Sequence, residues 1–91
     1  MHHVYILRSA VRTDQIYIGA TSNLDQRLID HNAGKSPHTS KFAPWSLEFS
    51  GAFPNRETAY AFERYLKSHS GRAFANKRLI CAAELAKDSE T

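Results

Sequence analysis

Residues 3–21 constrain the fold of this 91-residue chain more than any other stretch. Two short apolar runs, Val4-Tyr5-Ile6-Leu7 and Ile16-Tyr17-Ile18, flank a polar Arg12-Thr13-Asp14-Gln15 break. β-Branched and aromatic residues on both sides of a turn-like segment predict an antiparallel hairpin. Side chains alternate along a strand, so Tyr5 and Leu7 share one face and Val4 and Ile6 the other. In the second strand Tyr17 and Gly19 oppose Ile16 and Ile18. A register that buries Val4 and Ile6 with Ile16 and Ile18 puts both phenols on the opposite face. Gly19 then leaves an open spot there, where another backbone or a ligand can come close. On the hairpin alone, two amphipathic tyrosines half-buried in a sheet are the plainer reading.

Length and composition bound the rest. The chain makes one small domain, and 42% apolar residues with ten aromatics suffice for one modest core. No apolar run reaches about 20 residues, so no membrane span is expected. A strand that starts at the N-terminus argues against a secretory leader. Cys81 is the one cysteine, so it has no internal disulfide partner. It fits a reducing cytoplasm, the expected location, and rules out a cysteine zinc cage.

The net charge is +3, but its placement matters more. Glu84, Asp88 and Glu90 against Lys87 give the last ten residues −2, which leaves +5 on the first 81. Arg64, Lys67, Arg72, Lys77 and Arg78 follow one another with no acid between them. A basic body suits a polyanion, most simply nucleic acid; a merely soluble surface is the alternative.

Beyond the hairpin, Ser22 is a candidate N-cap, with Asp25 in the first turn of a helix over residues 23–33 and Gly34 as its stop. Leu24 and Leu28 form its apolar stripe, with Ile29 beside it. Arg27 and His31 are four apart on a line bordering that stripe. Either they serve a site there, or the arginine snorkels over the sheet and the histidine answers the helix dipole. Residues 35–44 are a polar, basic loop, expected to be mobile. Trp45 to Phe53 predicts a third strand with Trp45, Leu47 and Phe49 on one face.

Asn55 caps a second helix, expected over residues 56–69, with Ala59, Phe62 and Leu66 on its apolar stripe. Glu63 projects into the same sector. A carboxylate there is costly unless paired or bound to a cation, and Lys67 at i+4 offers the pairing. Ser70-Gly71 is expected to break the chain before a short basic helix from Arg72 to Leu79, extending as far as Leu85.

In order, His3-Val4-Tyr5, Tyr17-Ile18-Gly19, Arg27 with His31, and Glu63 resemble the GIY-YIG endonuclease family, most of all its small single-domain, UvrC-like (UPF0213-type) group. The resemblance spans residues 3–80. The leading glycine of the family name is replaced by His3. The resemblance implies an α+β fold, a three-stranded antiparallel sheet flanked by helices in the order ββαβαα. The nuclease domain would occupy residues 1–82, with 83–91 a C-terminal tail.

It also implies a metal-dependent DNA endonuclease with one Mg²⁺ or Mn²⁺. Glu63 would hold the ion, since hard cations take oxygen ligands and keep several waters. Arg27 would bind non-bridging phosphate oxygens in a bidentate fashion that lysine fills poorly. Tyr5 or Tyr17 would take the proton of the attacking water, and His31 would relay a proton or hydrogen-bond the base. A phenol titrates near pKa ~10, so it needs a cation nearby to serve as a base. Candidate nucleic-acid contacts are Gly19, Lys35, His38, Lys41, Arg72, Asn76 and Lys77. The partner expected is DNA, branched or damaged forms included, and no membrane. A basic domain this small leaves both a homodimer and a partner protein open. The alternative is a nucleic-acid-binding module that keeps the nuclease fold with little or no turnover.

Overall fold

The computed structural model describes residues 1–79. The boundary at residue 82, the tail, Cys81 and the extension of the last helix to Leu85 lie outside the described residues. The elements are β1 (His2–Ser9), β2 (Ile16–Thr21), α1 (Leu24–Asn32), β3 (Trp45–Phe53), α2 (Arg56–Lys67) and α3 (His69–Arg78), with a 3₁₀ turn at Ser40–Phe42. This is the expected ββαβαα order and an α+β fold.

The sheet runs β2-β1-β3, antiparallel throughout, with β1 in the middle. The hairpin has the expected register: Tyr5 opposite Gly19, Ile6 opposite Ile18, Leu7 opposite Tyr17. Both faces of the sheet are covered, so Val4, Tyr5, Ile6 and Leu7 are all buried. On one face Val4, Ile6 and Ile18 pack against Ala59 and Leu66 of α2 and Ala75 of α3. On the other, Tyr5, Leu7 and Trp45 pack with Tyr17, and with Leu24 and Leu28 of α1.

The third strand departs from expectation. Leu7 pairs with Leu47 but Ile6 pairs with Phe49, so Glu48 is an extra residue in β3. The bulge reverses the alternation: Trp45 joins the tyrosine face and Phe49 the opposite one. Simple period-2 counting had put them together. Glu48 reaches back to Arg8, 3.6 Å away.

Helix boundaries follow local hydrogen bonding. Asn23, not Ser22, caps α1; its side chain accepts from the Gln26 amide at 3.2 Å. Ile29 faces solvent, so the buried stripe of α1 is Leu24, Leu28 and His31. Asn55 caps α2 as expected, accepting from the Thr58 amide at 2.8 Å. The break between the last helices falls at Ser68, not at Ser70-Gly71. Ser68 ends α2 and its hydroxyl accepts from the Gly71 amide at 3.1 Å to start α3. Gly71 lies inside α3 because its Cα abuts the α2 backbone: a Cβ there would stand 1.6 Å from the Tyr65 carbonyl oxygen. Among the described residues no helix is long and apolar enough to cross a membrane.

Candidate active site

The tyrosine face of the sheet carries a buried polar chain. Tyr5 enters it from the central strand and is 1% exposed. Its hydroxyl oxygen lies 3.1 Å from His31 Nε2, and the Arg27 guanidinium stands close enough to act on it electrostatically. Arg27 and His31 come from successive turns of α1, so one helix supplies both partners. His31 is fully buried, and its Nδ1 lies 2.9 Å from Thr39 Oγ1. The Tyr17 ring packs 4.8 Å from the imidazole and 6.2 Å from the Tyr5 ring, centre to centre.

Burial raises the Tyr5 pKa above the ordinary phenol value; the Arg27 hydrogen bond opposes that rise without cancelling it. The fields of Tyr17 and Glu63 add smaller upward pushes. His31 is lowered, first by burial and then by the Arg27 charge, with Asp30 opposing. Arg27 is raised, chiefly by its hydrogen bond to Tyr5. At neutral pH the resting site is therefore a neutral phenol and a neutral imidazole beside a fixed cation.

Glu63 approaches from α2, between the core residues Ala59 and Leu66 in helical order. It is half-buried and accepts from Lys67 Nζ at 3.0 Å, the i,i+4 pairing that spacing allowed. Its charge adds the smallest of the upward pushes on the Tyr5 phenol. Lys67 lines a hollow of about 350 Å³ with Ile16, Tyr17, Ile18 and Arg72. A second hollow of about 410 Å³ is lined by Arg8, Thr13, Asp14, Ile16, Arg72 and Asn76. Ile16 and Arg72 line both, so one groove follows β2 from the hairpin turn toward Tyr17.

Tyr5, Tyr17, Arg27 and His31 thus come together; Glu63 stands on α2, whose core residues pack on the other face of the sheet, and it pairs with Lys67. Arg72 and Asn76 line the groove. Lys35, His38, Lys41 and Lys77 are exposed and line neither hollow. Lys35 pairs at long range with Asp30, at 3.8 Å, and Lys41 sits over the Phe42 ring. Gly19 is buried, and the room left by its missing side chain is filled by the Tyr5 phenol, not left for a ligand.

Sequence reasoning missed Thr39. Beside the exposed His38 it is 1% exposed, and its carbonyl accepts from Trp45 Nε1 at 2.9 Å. It pins the loop expected to be mobile. A lone threonine in a polar loop carries no periodic signal. Asn32 closes the same loop, donating to the Trp45 carbonyl at 3.1 Å and accepting from the Trp45 amide.

Among the described residues no group of three or more His, Cys, Asp or Glu gathers as a ready ligand cage. The donor that the spacing on α2 offers is a lone carboxylate, Glu63, with Asp14 at the far end of the groove already paired with Arg12. That fits a cation which keeps most of its water and shares the rest of its shell with a substrate phosphate.

Comparison with known proteins bears on this geometry. Residues 1–78 match the family model described as the GIY-YIG catalytic domain. A UPF0213 protein of Streptococcus pyogenes serotype M5 is 33% identical over 72 residues, covering 78% of this chain and 76% of the relative. The structure-specific endonuclease subunit SLX1 of Chaetomium globosum is 38% identical over 69 residues, 69% of this chain but 21% of that longer protein. The solution structure of a UPF0213 protein from Bacillus halodurans superposes with a TM-score of 0.51 at 30% identity, covering 84% of this chain and 82% of that one.

Proposed function

The chain belongs to the GIY-YIG family, and we propose that it is a metal-dependent DNA endonuclease working through Tyr5, Arg27, His31 and Glu63. The observation that carries this reading is the Arg27–Tyr5–His31 chain, a phenol held between a cation and a neutral base on a buried face.

Hydrolysis of a phosphodiester requires a deprotonated water and stabilisation of charge on the five-coordinate phosphorus. The guanidinium of Arg27 faces the phenol and supplies donors for the non-bridging oxygens. Tyr5 rests as the neutral phenol, so it accepts the proton of water only as its own proton leaves. His31 Nε2, 3.1 Å away, is the acceptor for that proton. The water O–H bond breaks to the Tyr5 oxygen, the phenol O–H bond breaks to His31, and the resulting hydroxide attacks phosphorus. The leaving oxygen is protonated from solvent. Of the two tyrosines Tyr5 is the base, because it has this outlet, while Tyr17 walls the imidazole and faces the groove.

Glu63 holds the divalent ion, Mg²⁺ or Mn²⁺, which when bound supplies positive charge to the scissile phosphate. Lys67 is more than half exposed, so its pairing with Glu63 is worth only about 0.3–0.5 kcal/mol and yields to a divalent cation. The groove along β2, with Arg72 on its wall, receives the DNA backbone. The structure-specific endonuclease subunit among the relatives supports branched or flapped DNA as substrate, and a partner protein. We place this activity in the cytoplasm.

The test is incubation of the purified chain with branched, flapped and plain duplex DNA, with Mg²⁺, with Mn²⁺ and with chelator. The expected result is metal-dependent nicking that Glu63→Ala lowers at least a hundredfold. Salt-sensitive binding that Glu63→Ala leaves unchanged, with no nicking of any substrate, would replace this reading by that of a binding module.

A further inference from the structure

We propose that Thr39 is a positioning residue: its hydroxyl accepts the His31 Nδ1–H and so leaves Nε2 as the bare nitrogen facing the Tyr5 hydroxyl. The proposal rests on the nuclease reading for its effect on cleavage, but the tautomer itself can be read without substrate.

The argument is a donor and acceptor count along one chain. The Arg27 guanidinium is a cation with only donors, and its charge acts on the Tyr5 phenol, so the phenol turns its lone pairs and not its proton toward it. The one proton of the Tyr5 hydroxyl then needs an acceptor. Tyr5 is 1% exposed, and the hydroxyl's other partner is His31 Nε2 at 3.1 Å. If Nε2 carried a proton, two donors would point at the phenol oxygen and its own proton would be left without an acceptor in a buried site. With Nε2 bare, the neutral imidazole carries its proton on Nδ1, which lies 2.9 Å from Thr39 Oγ1. Thr39 accepts there, and its own hydroxyl proton turns to the Ser36 carbonyl, 3.5 Å away. In this one arrangement the donors run one way, with Arg27 beside the phenol: Tyr5 to His31, His31 to Thr39, and Thr39 toward Ser36.

Thr39 is built into that place. Its carbonyl takes the Trp45 indole N–H at 2.9 Å and its amide donates to Ser36 at 3.2 Å. Trp45 in turn packs in the same cluster as Tyr5 and Leu7. The backbone that carries the hydroxyl is therefore held against the core, at hydrogen-bond distance from the imidazole.

The experiment reads the ring ¹⁵N shifts of His31 in the full chain by long-range ¹H–¹⁵N correlation near pH 8, with Thr39→Val and Thr39→Ser alongside. His31→Gln assigns the signal. The expected result is the Nδ1–H tautomer in the wild type and in Thr39→Ser. Thr39→Val, close in shape but lacking the oxygen, shifts toward the Nε2–H form. Cleavage falls about tenfold to a hundredfold in Thr39→Val, the scale on which outer hydrogen-bond partners of functional histidines act. Thr39→Ser restores it to within a few-fold. An Nε2–H tautomer in the wild type, or an unchanged tautomer in a folded Thr39→Val, overturns the proposal. Loss of cleavage in Thr39→Ser equal to that in Thr39→Val does so too. Absence of cleavage in the wild type would instead remove the nuclease reading, and the tautomer would still decide this one.

Discussion

Gly19 lies so close to the Tyr5 hydroxyl that a Cβ on it would stand 2.5 Å from the phenol oxygen and 2.7 Å from the carbon that bears it. The two residues face each other across the hairpin, and the phenol occupies the volume a side chain would need. The Tyr5 ring is buried and cannot swing aside cheaply. Gly19→Ala should therefore push the hydroxyl away from His31 and Arg27. We expect a loss of about 1–3 kcal/mol in urea unfolding, the usual cost of overpacking, and at least a tenfold loss of nicking. A variant as stable and as active as the wild type would show that the phenol position is not critical.

The two tyrosines should separate on removal of their hydroxyls. Tyr5→Phe deletes the hydroxyl that faces His31 Nε2, which leaves that buried nitrogen without its partner. It should cost about 1–3 kcal/mol in stability and about 10²–10⁴-fold in cleavage, the span of general-base contributions. Tyr17→Phe keeps the ring that packs on His31, so the expected loss in both measures is smaller. The reverse ranking in single-turnover nicking would move the base from Tyr5 to Tyr17.

Acid should weaken the fold through His31. Its pKa in the folded protein is lowered by burial and by Arg27, against the partial opposition of Asp30. Below the unfolded value of about 6.5 the unfolded chain binds the proton more readily, so stability falls as pH drops from there through the folded pKa. Tyr5 has the opposite sense: its raised pKa contributes stability that is present below about pH 10 and lost above it. Urea midpoints between pH 8 and pH 5 should fall for the wild type and fall less for His31→Gln. Parallel curves would show that His31 is not the titrating group. Nicking should fall over the same acid range, because a protonated imidazole cannot accept from the phenol.

Arg72 lines both hollows beside β2, and its side chain is exposed. If the backbone of DNA runs there, Arg72→Ala should weaken binding of every DNA sequence alike and reduce the salt slope by about 1. Stability should stay within about 0.5 kcal/mol, as for other exposed substitutions. Titrations at several salt concentrations read this directly, and an unchanged slope would take the DNA path away from this groove.

Much of this arrangement is legible in the residues, for a physical reason. The hairpin register follows from strict alternation of Val4, Ile6, Ile16 and Ile18 against Tyr5 and Tyr17, since slipping β2 by one residue would turn Ile16 and Ile18 to the tyrosine face. Arg27 and His31 are four apart on a short helix, and the Leu24–Leu28 stripe fixes which way that line faces. The face of β3 was not legible, because the bulge at Glu48 inserts a residue without any change in composition. Nor was Thr39, whose place depends on His31 of α1 and Trp45 of β3, both in other elements. The shift of the helix break from Gly71 to Ser68 has a similar origin. Glycine there answers the crowding of two helices, which local propensity does not reveal.

The central strand works as a partition. Its odd-numbered residues Tyr5 and Leu7 belong to the compartment of polar chemistry, and its even-numbered residues Val4 and Ile6 to the compartment of cohesion. Relatives can drift on one side of such a wall with little consequence for the other. Glu63 is the exception: it grows from the cohesive side, yet its charge adds a small upward push to the Tyr5 phenol. A shift of α2 that moved this carboxylate would therefore carry a trace of the cohesive side to the phenol across the wall.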